Sequence, residues 1–131
     1  MLYKNAWIYT PQFRFVRGAL RVENGRVAEL LDHDPAAPGT DLGGAYVIPG
    51  LVDIHNHGNS GADFSDANYP GLVTMARYLA QNGVTSFAPA SMTLPYEVLA
   101  RAFETAAQLR RDAPQGCAQL IGIQMEGPFF S

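Results

Sequence analysis

Pro49-Gly50-Leu51-Val52-Asp53-Ile54-His55-Asn56-His57-Gly58 is the stretch on which the fold of this chain turns. Read as a strand over 51–57, it alternates its side chains between two faces. Asp53, His55 and His57 share one face, while Val52 and Ile54 point the other way, toward covering helices. Two imidazoles two residues apart at the C-terminal end of a strand can hold one divalent cation side by side. Gly58 lets the backbone turn sharply straight after them. A bare His-x-His is also compatible with two polar strand-end residues bonded to backbone or water. Parallel sheets place their sites at the C-terminal ends of strands, and that position favours the metal.

Downstream of this strand the pattern alternates strand and helix. A glycine- and aspartate-rich loop spans 58–68, and Pro70 suits the first turn of a helix. Leu72, Met75, Ala76 and Leu79 then follow the i, i+3, i+4, i+7 spacing of a buried helical stripe, which Gly83 ends. A second strand covers 84–90. Pro95 opens a second helix with the stripe Val98, Leu99, Ala102, Phe103, Ala106 and Leu109, closed by Pro114 and Gly116. A third strand covers 120–126, with Ile121, Ile123 and Met125 on one face and Leu120, Gly122, Gln124 and Glu126 on the other. Glu126 thus falls at a strand's C-terminal end, where a carboxylate can ligate or bridge metal ions; taken alone it reads rather as a solvated loop residue, and taken with His55 and His57 on the same sheet as part of a shared site. Strand–helix–strand–helix–strand is the grammar of a parallel sheet with crossover helices.

Upstream, residues 1–48 read as a small antiparallel β unit. Apolar runs at 2–9, 19–22, 27–31 and 45–48 are separated by turn signals. Asn24-Gly25 between two of them is a type I′ hairpin signal, because both central residues must accept positive φ. The loop 32–44 carries Pro35, Pro38 and three glycines.

The 131 residues are 47% hydrophobic and 16% charged, with a net charge of −3, which describes a chain able to bury a core rather than a disordered one. Five of the nine basic residues (Lys4, Arg14, Arg17, Arg21, Arg26) lie in the first 26. They read as solvated strand faces, and the acidic balance argues against a nucleic-acid partner. A single cysteine, Cys117, excludes an internal disulfide framework, fits a reducing compartment and reads as packing. No apolar run approaches the roughly 18 residues that span a bilayer, and polar residues break every candidate signal sequence. The expectation is a cytoplasmic protein with no membrane partner.

Several polar residues keep two readings. Asp53 is a ligand or, more in keeping with its place below His55, a structural hydrogen-bonding group. Asp63 and Asp66 are substrate rim or ordinary turn residues. Ser91 and Thr93 line a pocket or cap the following helix. His33 reads as an exposed loop residue.

The stretch 49–58 resembles the first barrel strand of the amidohydrolase superfamily, whose members join a (β/α)8 barrel to a small β-sandwich and ligate metal through His-x-His. Gly83-Val84-Thr85-Ser86-Phe87, Ala90-Ser91-Met92-Thr93 and Gln124-Met125-Glu126-Gly127-Pro128-Phe129-Phe130-Ser131 resemble the N-acetylglucosamine-6-phosphate deacetylases within it, the Glu-Gly-Pro-Phe motif being the most diagnostic. The resemblance implies an α/β fold: part of a small β-sandwich over 1–48, then the first portion of a TIM barrel over 49–131, with about three strands and two helices. It implies that Glu126 ligates a metal directly and that His55 and His57 match the pair found in members able to hold a second ion. Zinc is the first choice for this imidazole and carboxylate set, with iron or manganese as alternatives.

The chemistry so implied is hydrolysis of an acetamide by a metal-activated water. The metal steadies the oxyanion and a carboxylate base passes the proton to the leaving amine. The products are acetate and glucosamine 6-phosphate, and the partners are a phosphorylated amino sugar and further copies in a full-length homo-oligomer. The family's general base and two further histidine ligands have no counterpart up to Ser131. A barrel needs roughly 250 residues, so the chain reads as an N-terminal portion, inactive alone. Two other readings are a deaminase or cyclic amidase of the same superfamily, and a non-catalytic module.

Overall fold

The structure, a computed structural model, describes residues 1–127. The chain divides into two compact units, Met1–Pro49 and Gly50–Ser131. The first is a single sheet. Strands β1 (Leu2–Tyr9), β2 (Phe15–Glu23) and β3 (Arg26–Asp32) form an antiparallel meander. Asn24 and Gly25 make its second turn at φ of 51° and 74°, the pair of positive values that a type I′ hairpin demands. Two short strands, β4 (Thr40–Asp41) and β5 (Tyr46–Val47), add to β1 in parallel. The sheet is therefore mixed, where the sequence reads as antiparallel throughout.

Within that sheet, β1 bulges between Tyr3 and Ala6, with Asn5 at φ 57°. The Asn5 amide is fixed there from both ends, donating to Asp41 Oδ1 at 2.9 Å and accepting from Arg17 Nη2 at 3.0 Å. Ala6, Ile8 and Leu20 form the unit's small core. Arg14, Arg17, Arg21 and Arg26 lie exposed, as solvated strand residues should; Lys4 is partly covered and donates to the Pro35 carbonyl.

The second unit is α/β. Its central sheet runs β10-β9-β6, all parallel, from β6 (Leu51–Asn56), β9 (Val84–Pro89) and β10 (Gln119–Leu120). After β6 the chain makes a small hairpin, β7 (Gly58–Asn59) with β8 (Ala62–Asp63), and a 3-10 turn at Phe64–Asp66. Helices α1 (Tyr69–Gln81) and α2 (Tyr96–Asp112) provide the crossovers. Asn68 caps α1 by accepting from the Gly71 amide, and Pro70 sits in the first turn, where its missing N–H costs no hydrogen bond. Gly83, at φ 81°, turns the chain into β9.

Leu72, Met75, Ala76 and Leu79 of α1 meet Ala102, Ala106 and Leu109 of α2 over Phe87 and Leu120 of the sheet. Alanine at 76, 102 and 106 lets the helices approach closely, and each large apolar side chain buried here contributes about 1.5–3 kcal/mol. Tyr69 and Asp112 add a 2.6 Å hydrogen bond between the two helices.

Two features differ from the sequence reading. Val52 and Ile54 are 56% and 65% exposed instead of covered. α1 packs against β9 and α2 against β10, so among the described residues no helix lies over β6, the edge strand. The third strand is also shorter than 120–126. Ile121 donates to the Phe87 carbonyl, but the next amide to reach β9 is that of Gln124, on the Pro89 carbonyl. Three residues on one side answer two on the other, which is a bulge, and a bulge resets which face each side chain takes. Leu120 and Ile123, three apart, consequently both pack toward the helices, while Ile121 and Met125 are exposed.

Candidate metal centre

His55 is the penultimate residue of β6 and His57 follows the strand end. Two local devices hold this segment. Asp53 accepts from the His55 amide through Oδ1 at 3.0 Å and from Asn56 Nδ2 through Oδ2 at 2.9 Å. Both carboxylate oxygens are thereby spent on the backbone and side chain of their own strand, so Asp53 braces the pair rather than joining it. Gly58 is required for closeness rather than for an unusual turn. A Cβ at that position would lie 2.3 Å from the Ala62 carbonyl oxygen across the β7–β8 hairpin.

The two imidazoles converge. Their Nε2 atoms lie 3.2 Å apart, with the rings nearly perpendicular at 89°. Glu126, arriving from the segment beyond β10, places Oε2 3.4 Å from His55 Nε2 and 3.3 Å from His57 Nε2. These three residues form a metal-ligand-type cluster among the described residues. They line, with Gln124 and Met125, an open depression of about 400 Å³.

The protons test whether the trio fits a cation. His57 Nδ1 lies 3.1 Å from the Ala90 carbonyl, an acceptor only, so the proton of a neutral His57 resides on Nδ1. Its Nε2 then presents a lone pair, and Glu126 Oε2 presents another at 3.3 Å. A single N–H on His55 cannot satisfy both neighbours. Electron pairs facing one another at this distance call for a positive charge, which a proton on an imidazole or a metal ion supplies. A tetrahedral site with bonds of about 2.0–2.1 Å has ligand atoms about 3.3–3.4 Å apart. The observed triangle of 3.2, 3.4 and 3.3 Å has that edge length. The residues fit a divalent cation, with the Ala90 carbonyl fixing the ring of His57 in the way metal-bound histidines are commonly oriented.

The other polar residues fall outside the cluster. Asp63 caps the 3-10 turn by accepting from the Ser65 amide at 2.7 Å, and Asp66 lies exposed in that turn. Thr93 is exposed, and the N-cap of α2 is Pro95 without a side-chain hydrogen bond, so neither Ser91 nor Thr93 caps that helix. Ser91 is completely buried, and its Oγ accepts from the Glu126 amide at 3.1 Å. Cys117 is half-buried beside the Val73 carbonyl, in keeping with a packing role. His33 is partly covered rather than free in solvent. Pro128, Phe129, Phe130 and Ser131 of the Glu-Gly-Pro-Phe stretch lie outside the described residues.

The sequence points to the three cluster residues and to Asp53 as a structural hydrogen-bonding group, but not to the supports at the end of β9. A backbone carbonyl such as that of Ala90 leaves no mark in a sequence. Ser91 was visible only as a polar residue ending an apolar strand.

No protein-family model matches the chain. The chain is 36% identical over 111 residues to an N-acetylglucosamine-6-phosphate deacetylase of Vibrio furnissii, an alignment covering 83% of this chain and 28% of the relative. A structure of the enzyme of that name from Pasteurella multocida matches 99% of this chain and 35% of its own, with 27% identity and a TM-score of 0.83. A mutant of the Mycobacterium smegmatis enzyme, solved in complex with N-acetyl-D-glucosamine-6-phosphate, matches 100% of this chain and 33% of its own at 32% identity and TM-score 0.80. The chain thus spans about a third of the length of the relatives it matches. No helix among the described residues is long and apolar enough to cross a membrane.

Proposed function

We propose that this chain, similar over its length to N-acetylglucosamine-6-phosphate deacetylases, supplies metal-holding strands of a hydrolase that removes the acetyl group from N-acetylglucosamine 6-phosphate. The products are glucosamine 6-phosphate and acetate. In this reading residues 1–48 are part of a small β-sandwich domain, and residues 49–131 are the first portion of a (β/α)8 barrel. His55, His57 and Glu126 hold a divalent cation, zinc by preference for two imidazoles and a carboxylate, with iron or manganese as alternatives. The observation that carries the reading is the triangle of Nε2, Nε2 and Oε2 atoms at 3.2–3.4 Å.

A divalent ion held there supplies Lewis-acid activation of water and of an amide carbonyl. The chain's own groups prepare for it. Asp53 holds the His55 backbone, Ala90 orients the His57 ring, and Glu126 supplies the negative charge that offsets the cation. The open depression beside them admits a substrate from the C-terminal side of the sheet. The exposed face of Val52 and Ile54 is covered by later barrel elements in this reading. A cytoplasmic, homo-oligomeric full-length enzyme belongs to the same proposal.

The test is a chimaera in which this chain replaces the matching portion of the Vibrio furnissii relative, assayed for acetate release from N-acetylglucosamine 6-phosphate. Activity is the expected result, lost on His57→Ala. The isolated chain is expected to release no acetate. A folded, metal-loaded chimaera without deacetylation overturns the functional reading.

A further inference from the structure

The central strand of the three donates no ligand to the cluster, yet its end touches both strands that do. Ala90 donates its N–H to the Asn56 carbonyl at 2.9 Å and receives His57 Nδ1 on its own carbonyl at 3.1 Å. Ser91 faces the opposite neighbour: its N–H donates to the Gln124 carbonyl at 3.0 Å, and its hydroxyl oxygen accepts from the Glu126 amide at 3.1 Å. In a regular parallel ladder a residue's N–H and C=O bond to two residues of the neighbouring strand that are two apart. Gln124 and Glu126 are that pair for residue 91. The second rung, however, ends on the Ser91 hydroxyl in place of its carbonyl. A side chain thus carries the ladder past the bulge to the residue that bears the carboxylate.

We infer that Ser91 is a positioning residue for Glu126, its hydroxyl fixing the backbone from which the metal-binding carboxylate is launched; this rests on the metal reading above. Three other roles fail on the structure. Ser91 is 0% exposed, so it cannot meet a substrate as a nucleophile. It lies well before α2, which begins at Tyr96 with Pro95 as its cap. Plain packing does not account for it either, because a buried hydroxyl is unfavourable unless hydrogen-bonded, and alanine would fill nearly the same space. The position of Oγ on the Glu126 amide gives the hydroxyl its use. Loss of that acceptor leaves the amide free to move, and the carboxylate moves with it.

The experiment titrates the full chain with Co²⁺ and Zn²⁺, reading affinity by competition and the ligand field by the visible Co²⁺ spectrum. Ser91→Ala is expected to weaken binding about 10- to 100-fold, the range seen when groups that orient ligands are removed, and to shift the Co²⁺ bands. Ser91→Thr, which keeps the hydroxyl, is expected to restore affinity to within about threefold. In a Glu126→Ala background, Ser91→Ala is expected to change affinity less than twofold, since no carboxylate remains to be placed. If the alanine variant does not fold, Ser91→Val, which has the shape of the threonine variant without its hydroxyl, replaces it with the same expectations. Wild-type affinity in Ser91→Ala, or an equal loss with and without Glu126, overturns the inference. Failure of the wild-type chain to bind either metal instead overturns the reading on which it rests.

Discussion

Gly127→Ala is the perturbation whose consequence follows most directly from the geometry around Glu126. Gly127 has φ of 103°, outside what L-residues ordinarily adopt. A Cβ built on it would lie 2.8 Å from Thr93 Cα and 2.9 Å from Thr93 Oγ1. The Thr93 Cα is backbone and cannot swing aside, so the 127 backbone must move, and Glu126 is its immediate neighbour. Holding a non-glycine residue in such a conformation costs of order 1–3 kcal/mol before the clash is counted. If about 2 kcal/mol is relieved by displacing Glu126, metal affinity falls about 30-fold. Gly122→Ala is the matched control on the same segment, because its added Cβ meets nothing within 4 Å. Zinc competition titrations and urea melts on both variants make the comparison. Equal zinc affinity in Gly127→Ala and Gly122→Ala refutes the link between this glycine and the carboxylate.

Other outcomes follow from the packing and from titration. Phe87→Ala removes a ring with no exposure at the junction of both helices and the sheet; urea unfolding of the second unit should show a loss of about 3–5 kcal/mol. The Gly43 amide and then the Asn5 side chain hold the Asp41 carboxyl below its ordinary value. That contribution is present above the unfolded value, near 4, and is lost as pH falls through the lower folded value. Asp41→Asn should flatten the acid limb of the first unit's stability in pH-dependent melts. Tyr69 is raised by its bond to Asp112, so its contribution is present below about pH 10 and lost as pH rises through the folded value. Tyr69→Phe should remove that alkaline loss.

Much of the fold was legible because its signals are local. The stripe Leu72, Met75, Ala76, Leu79 needs only a 3.6-residue period, Asn24-Gly25 only the sterics of positive φ, and His55 with His57 only the alternation of a strand. What stayed hidden depends on one segment's relation to another. The bulge between Ile121 and Gln124 exists only against Phe87 and Pro89, and it shifts the faces that simple alternation assigns. Exposure of Val52 and Ile54 reflects how few helices lie over an edge strand, a property of the whole sheet rather than of residues 51–56. The added parallel pairing of β4 and β5 with β1 is equally non-local. Glu126 was reached by its place at a strand end, although the strand proved shorter and its phase different.

The central claim is that His55, His57 and Glu126 form one cation site, and zinc binding to the intact chain tests it most directly. Isothermal titration should give one Zn²⁺ per chain. Replacement of any one of the three by alanine should weaken binding by about 100-fold, the share of one ligand in a protein zinc site. Asp63→Ala and Asp66→Ala should leave zinc affinity unchanged. A chain that binds no zinc, or binds it equally well without Glu126 and both histidines, contradicts the account.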